Sequence, residues 1–197
     1  PGGAWTELTI PGFEAMDKGL FNGATLSADG NHLIMYFSEK EGSKFSDFYL
    51  SNQANGKWSK PVKMTISSTA DDYSPFLAPD QKTLYFSSDR FAKDKVGGTD
   101  VYKVTRLDDT WMNWSTPVNL GKSVNTPSGD AYFSIDTHGN IFTARSGARG
   151  WLGRGSGRIY TQMIVIPAAA LVQFANDPFL VLRAVAASGR MPIHDRS

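Results

Sequence analysis

Apolar and polar positions along this chain fall into short blocks separated by turn residues. Residues 83–88 (TLYFSS) are rich in β-branched and aromatic side chains and stop at the polar pair Asp89-Arg90. A block of that length and makeup predicts a strand. It is entered through Ala78-Pro79-Asp80-Gln81. Proline presets φ there and Asp80 can cap its own backbone, which predicts a tight turn. A short apolar run, residues 74–77, precedes the turn, so the stretch reads strand, turn, strand. The pattern recurs. Ser27-Ala28-Asp29-Gly30 leads into residues 32–38 (HLIMYFS), and Asp136-Thr137-His138-Gly139 into residues 140–143 (NIFT). Asp29, Asp80 and His138 hold the same turn position, at spacings of 51 and 58 residues.

A third strand is predicted after each of these, at residues 46–50, 99–104 and 157–162, and a fourth after two of them, at residues 58–64 (WSKPVKM) and 114–120 (WSTPVNL). Residues 5–10 (WTELTI) begin with the same tryptophan. Trp5 precedes Phe21 by the 16 residues that separate Trp114 from Asp130. Four-stranded units repeating near 50 residues predict β-propeller blades. The expected fold is all-β: a propeller-like array of about three four-stranded blades and an atypical C-terminal segment. Residues 1–162 make the repeats (leading strand 5–23, then 24–64, 74–120 and 131–162), and 163–197 close or cap the array. The leading strand is expected to pair with the third unit. A bulge is expected in residues 32–38, which run one residue longer than their counterpart. Asn55-Gly56 predicts a two-residue hairpin turn. Residues 146–157, with five glycines, read as a loop. Three wedge-shaped units are expected to leave Tyr49, Tyr102 or the run 163–166 exposed unless the tail or a second chain covers them, so a homodimer is one expectation.

The S-x-D-G turn, the strand Tyr85-Phe86-Ser87-Ser88-Asp89-Arg90, Gly97-Gly98-Thr99-Asp100-Val101-Tyr102, and Trp114 through Gly121 followed by Asn125-Thr126-Pro127 together resemble the TolB-type (WD-like) β-propeller repeat. The resemblance covers residues 5–160. It implies a bacterial, extracytoplasmic protein, periplasmic or secreted, and related propellers frequently hold Ca²⁺ at the channel. It implies little about activity, because one fold hosts many functions.

Composition narrows the classes. With 197 residues the chain is long enough for a real core. A formal net charge of +1 lacks the basic face a nucleic-acid partner needs. No apolar run reaches the length of a membrane span. The absence of cysteine excludes disulfides and thiolate chemistry.

The candidate chemistry lies at the strand entrances. Asp72 and Asp130 each sit eight residues before a turn position, where the innermost strand begins at the mouth of a propeller channel. With Asp71 they form a candidate oxygen-ligand set for Ca²⁺, or an acid/base pair. Tyr73 and Tyr132 flank them as contact residues. Trp111 and Trp151 break the repeat and are candidate stacking platforms for a sugar or a partner, and Arg149 is a candidate for an acidic ligand. Two function classes follow: a non-catalytic module binding a small molecule, glycan or protein, and a Ca²⁺-assisted hydrolase of a lactone, ester or glycoside using Asp72 and Asp130. No serine-hydrolase elbow is present, and the glycine-rich stretch follows no βαβ unit.

Overall fold

The computed structural model describes residues 8–136, 138–146 and 161–166. They form an all-β, propeller-like array of three consecutive antiparallel sheets, preceded by one helical turn, α1 (Phe13–Met16). In the first unit β1 (Gly23–Leu26), β2 (His32–Phe37) and β3 (Asp47–Ala54) pair in order, and the fourth strand is split into β4 (Lys57–Trp58) and β5 (Val62–Lys63), both on β3. The split falls at Pro61, which has no N–H for the ladder. The second unit runs β6 (Asp72–Leu77), β7 (Thr83–Ser88), β8 (Asp100–Thr105) and β9 (Val118–Asn119). Its fourth strand breaks at Pro117 in the same way, leaving Trp114 as an isolated bridge to Arg106. The third unit is β10 (Asp130–Ile135), β11 (Ile141–Ser146) and β12 (Thr161–Ile166).

The central strands of the first two units bury both faces, which explains their near-continuous apolar runs. On β7, Leu84 and Phe86 point into a cluster shared with Ile34, Phe48, Leu50 and Met64 of the first unit. Tyr85 points the other way, with Val101, onto Phe133 and Ile141 of the third. The period of two therefore sends successive side chains into successive inter-unit seams. Of the three places expected to be left uncovered, Tyr49 and Tyr102 are each 1% exposed, and the burial of the run 163–166 lies outside the description. Tyr102 lies in the seam between the first two units, and Tyr49 stacks on Phe37 at 3.9 Å.

The turns follow their residues. Ala54 pairs with Lys57, so Asn55-Gly56 is a two-residue hairpin loop, both residues at positive φ (52° and 74°). The turn positions at Asp29, Asp80 and His138 are equivalent, since Gly30, Gln81 and Gly139 each close the turn to Ser27, Ala78 and Asp136. The capping carboxylate moves, however. Asp29 and Asp80 cap from the third position, whereas Asp136 at the first position accepts the N–H groups of His138 and Asn140.

Four expectations need correction. β2 pairs without irregularity on both sides, and the bulges lie in β6 and β10 instead. β11 does not stop at 143 but runs to Ser146. The third strand of the last unit is Thr161–Ile166, where 157–162 was expected. The run Ile164-Val165-Ile166 has the stronger β preference and takes the ladder. Lastly, residues 8–10 form no strand. Ile10, Phe13 and Met16 pack on Leu33, Met35, Phe37, Tyr49 and Trp58 of the first unit. That outer face is apolar by the alternation of β2 and β3, and the leading segment covers it. Trp5 and the tail beyond 166 lie outside the described residues.

Candidate functional site

The strand entrances β6 and β10 carry the same construction. Asp72 is fully buried, and both its oxygens are used. Oδ2 accepts the N–H and hydroxyl of Ser68, at 2.6 and 2.8 Å; Oδ1 accepts the Ser88 hydroxyl and the Arg90 guanidinium, each at 2.6 Å. Asp130, also fully buried, accepts the N–H and hydroxyl of Thr126 on Oδ2 and Arg145 Nε on Oδ1 at 2.7 Å. Each arginine then reaches back to a carbonyl six residues before its aspartate, Ile66 and Val124 respectively. In the β6–β7 register Asp72 faces Ser88, and in β10–β11 Asp130 faces Arg145. One arginine thus replaces the serine and arginine of the preceding unit. These are ion-paired latches that pin the crossing segment to the strand.

The two carboxylates are committed to different latches, each with a guanidinium on it. Among the described residues no three histidine, cysteine or carboxylate side chains are grouped to hold a metal ion. The donor set does not fit Ca²⁺, because a guanidinium already occupies each carboxylate. Asp100 is another pinning carboxylate. Fully buried, it accepts the N–H groups of Val96 and Gly97 and the Asn119 amide.

Asp71 is different. Its Oδ1 accepts the Ser46 N–H at 2.8 Å, and its own N–H donates to Asp89 Oδ1 at 2.8 Å. It has no cationic partner among the described residues. Burial pushes its carboxyl from the usual 3.8 up to about 6; the Ser46 N–H opposes this, while Asp89, Asp72 and Asp47 push the same way.

Beside it three tyrosines converge, one from each unit. Tyr73 lies 6.3 Å from Tyr36 and 6.2 Å from Tyr132, ring centre to ring centre, with planes inclined at 54° and 70°. Two backbone devices make this possible. The bulges place Ser74 and Tyr132, two residues after each latch aspartate, at φ of 50° and 55°. Non-glycine residues adopt that region at a cost of roughly 1–3 kcal/mol, which the surrounding structure must hold. Tyr132 is turned out of the sheet and is 60% exposed. On the first unit, Gly23 faces Tyr36 across β1–β2, and a Cβ there would lie 2.6 Å from the Tyr36 ring. Glycine lets that ring lie across β1. Burial raises the phenol of Tyr73 to about 12, helped by Asp71 and Tyr132, against a hydrogen bond with Thr99. Tyr36 shifts upward for the same first reason, with Tyr132 and Asp71 adding.

The structure therefore joins Asp71, Tyr73 and Tyr132 of the sequence candidates and adds Tyr36 and Asp89. The one sequence signal for Tyr36 is the glycine opposite it. Trp111 belongs elsewhere. It is 5% exposed, stacks on His32 at 4.2 Å and carries the Arg106 guanidinium 4.5 Å from its ring, at the opposite end of the seam between the first two units. A cleft of about 320 Å³ opens there among Asp29, His32, Gln81, Arg106, Asp109 and Trp111. Its polar groups are already hydrogen-bonded: Arg106 to the Gln81 and Asp108 carbonyls and to Asp109, His32 to Asn52, and Asp29 to Ser27 and Asn31. Trp111 is a seam filler. Arg149 and Trp151 lie outside the described residues.

No family model matches the chain, and no curated protein matches it. Among solved structures it is similar to the complex of the GH93 α-L-arabinofuranosidase of Fusarium graminearum with arabinobiose, at 14% identity and a TM-score of 0.37, over 73% of this chain and 38% of that one. The chain thus spans less than two fifths of that enzyme structure.

Proposed function

We propose that this chain is a ligand-binding module of the TolB-like, extracytoplasmic propeller kind, and that its ligand seats on the tyrosine-lined mouth formed by Tyr36, Tyr73, Tyr132 and Asp71. The observation that carries the reading is the convergence of one tyrosine from each of three units, one of them 60% exposed on a left-handed backbone, beside a half-buried carboxylate without a cation. Strain and an unpaired carboxylate both cost stability, and such features concentrate where a ligand is held. One exposed and two partly exposed aromatic rings beside an acceptor suit a small molecule, a glycan or a side chain of a protein partner. The binding reading is preferred to the hydrolase reading because Asp72 and Asp130 each already carry an arginine.

The test is an NMR titration of ring-labelled tyrosine against a mixed panel of neutral oligosaccharides, organic cations and organic anions. At least one class should shift the resonances of Tyr36, Tyr73 and Tyr132 together, and Tyr132→Ala should weaken that ligand by roughly 5- to 30-fold, the loss of one aromatic contact. A panel that leaves these three tyrosines unmoved overturns the reading.

A further inference from the structure

Among the described residues, the charged groups that act on Asp71 beside the tyrosine face are all acidic. After burial and the Ser46 N–H, the groups acting on Asp71 are Asp89 (on the loop after β7), Asp72 (the latch aspartate) and Asp47 (at the start of β3). The basic groups nearby have other partners. Arg90 is bound to Asp72, Ser88 and the Ile66 carbonyl; Lys95 donates to the Asp89 carbonyl at 2.7 Å; Lys63 pairs with Asp47 at 2.7 Å. What faces the tyrosines is a carboxylate whose remaining oxygen has no cation among the described residues. Tyr36 and Tyr73 feel that carboxylate, and Tyr132 acts on both of them. Ser87, directly opposite Tyr73 in the β6–β7 register, is fully buried, and its hydroxyl has no hydrogen-bond partner.

Three rings inclined to one another, with a carboxylate beside them, have a definite electrostatic preference. The face of an aromatic ring is negative, and several rings at an angle surround a cation better than a flat neutral ligand. A neutral sugar would gain nothing from the unpaired charge of Asp71, and an anion would be repelled by Asp71 and Asp89. Resting on the binding reading above, we propose that the ligand of this face is an organic cation, an alkylammonium or guanidinium group presented by a small molecule or by a lysine or arginine side chain.

The experiment compares choline with its uncharged carbon isostere 3,3-dimethylbutan-1-ol, arginine methyl ester with a neutral oligosaccharide, and each with acetate, following tyrosine ring resonances and thermal stability of the full chain. The expected result is that choline and arginine methyl ester shift Tyr36, Tyr73 and Tyr132 and raise Tm, with the isostere weaker by about tenfold or more. Asp71→Asn should abolish the difference between choline and its isostere; its own melting temperature without ligand reports whether it is folded. Equal binding of choline and isostere, or shifts of the tyrosines by the oligosaccharide alone, overturns the cation inference and leaves the binding face standing. Tyrosines unmoved by every probe overturn both. The choline–isostere comparison is made on the unaltered protein, so the inference can fail even if the variant does not fold.

Discussion

At the scale of single residues, neighbours of the same kind have opposite fates. Asp71 and Asp72 are adjacent aspartates. Asp72 is enclosed by four donors from Ser68, Ser88 and Arg90, while Asp71 has one backbone N–H and acidic surroundings. Asp71 therefore binds its proton more tightly folded than unfolded, up to about 6 against 3.8. Between those values the native state holds more protons than the unfolded chain, so stability falls as pH rises through this window. Replacing it with Asn, which can still accept the Ser46 N–H, should remove that fall. Urea melts of Asp71→Asn should show a flatter profile between about pH 4 and about pH 6.5. Relative to the parent, the variant should gain on the order of 1–2 kcal/mol at about pH 7.5, less than the full shift because solvent screens a half-buried group. A parallel pH profile in parent and variant would show that Asp71 is an ordinary solvated carboxylate.

At the scale of elements, the latches decide how each crossing segment meets its innermost strand. Arg90 joins β6, β7 and the Ile66 carbonyl, and its guanidinium also lies 4.8 Å from the Phe86 ring centre. Removing it leaves Asp72 buried at 0% exposure with its charge uncompensated. Arg90→Ala should cost about 3–5 kcal/mol in chemical denaturation, the penalty typical of breaking a buried pair from one side. The double variant Arg90→Ala/Asp72→Ala should cost less than Arg90→Ala alone, because no orphaned charge remains. The repeat was legible in the sequence at this scale. Asp72 and Asp130 were visible as equivalent positions, but their use was not. The partner arginines stand 18 and 15 residues away, and at different places relative to their strands.

At the scale of the whole molecule, burial is shared between units, since successive side chains of one strand enter different seams. Among the described residues the first unit's outer face is covered by Ile10, Phe13 and Met16, with Phe13 edge-on to Phe37 at 5.3 Å. Uncovering a large apolar side chain costs about 1.5–3 kcal/mol. Phe13→Ser combined with Ile10→Ser should therefore lower Tm by several degrees and produce concentration-dependent association in analytical ultracentrifugation, through the exposed Phe37, Tyr49 and Trp58 face. A variant that melts and sediments like the parent would show that this cover contributes nothing.

What the sequence determined alone was the strand, turn and repeat pattern. Asn55-Gly56, the aspartates at the turns and the two-residue alternation of TLYFSS act through atoms a few bonds or one strand away, so local physics is sufficient to read them. The tertiary structure decided which polar groups are spoken for. Asp71 receives its hydrogen bond from Ser46, 25 residues back, and Tyr36 meets Tyr73 and Tyr132 only when three units stand side by side. It also decided the strand of the last unit, where Thr161–Ile166 takes the ladder that 157–162 was expected to fill. Hydrogen bonds, desolvation and ring contacts act at a few ångströms in space, and chain order does not state which residues folding will bring within that distance.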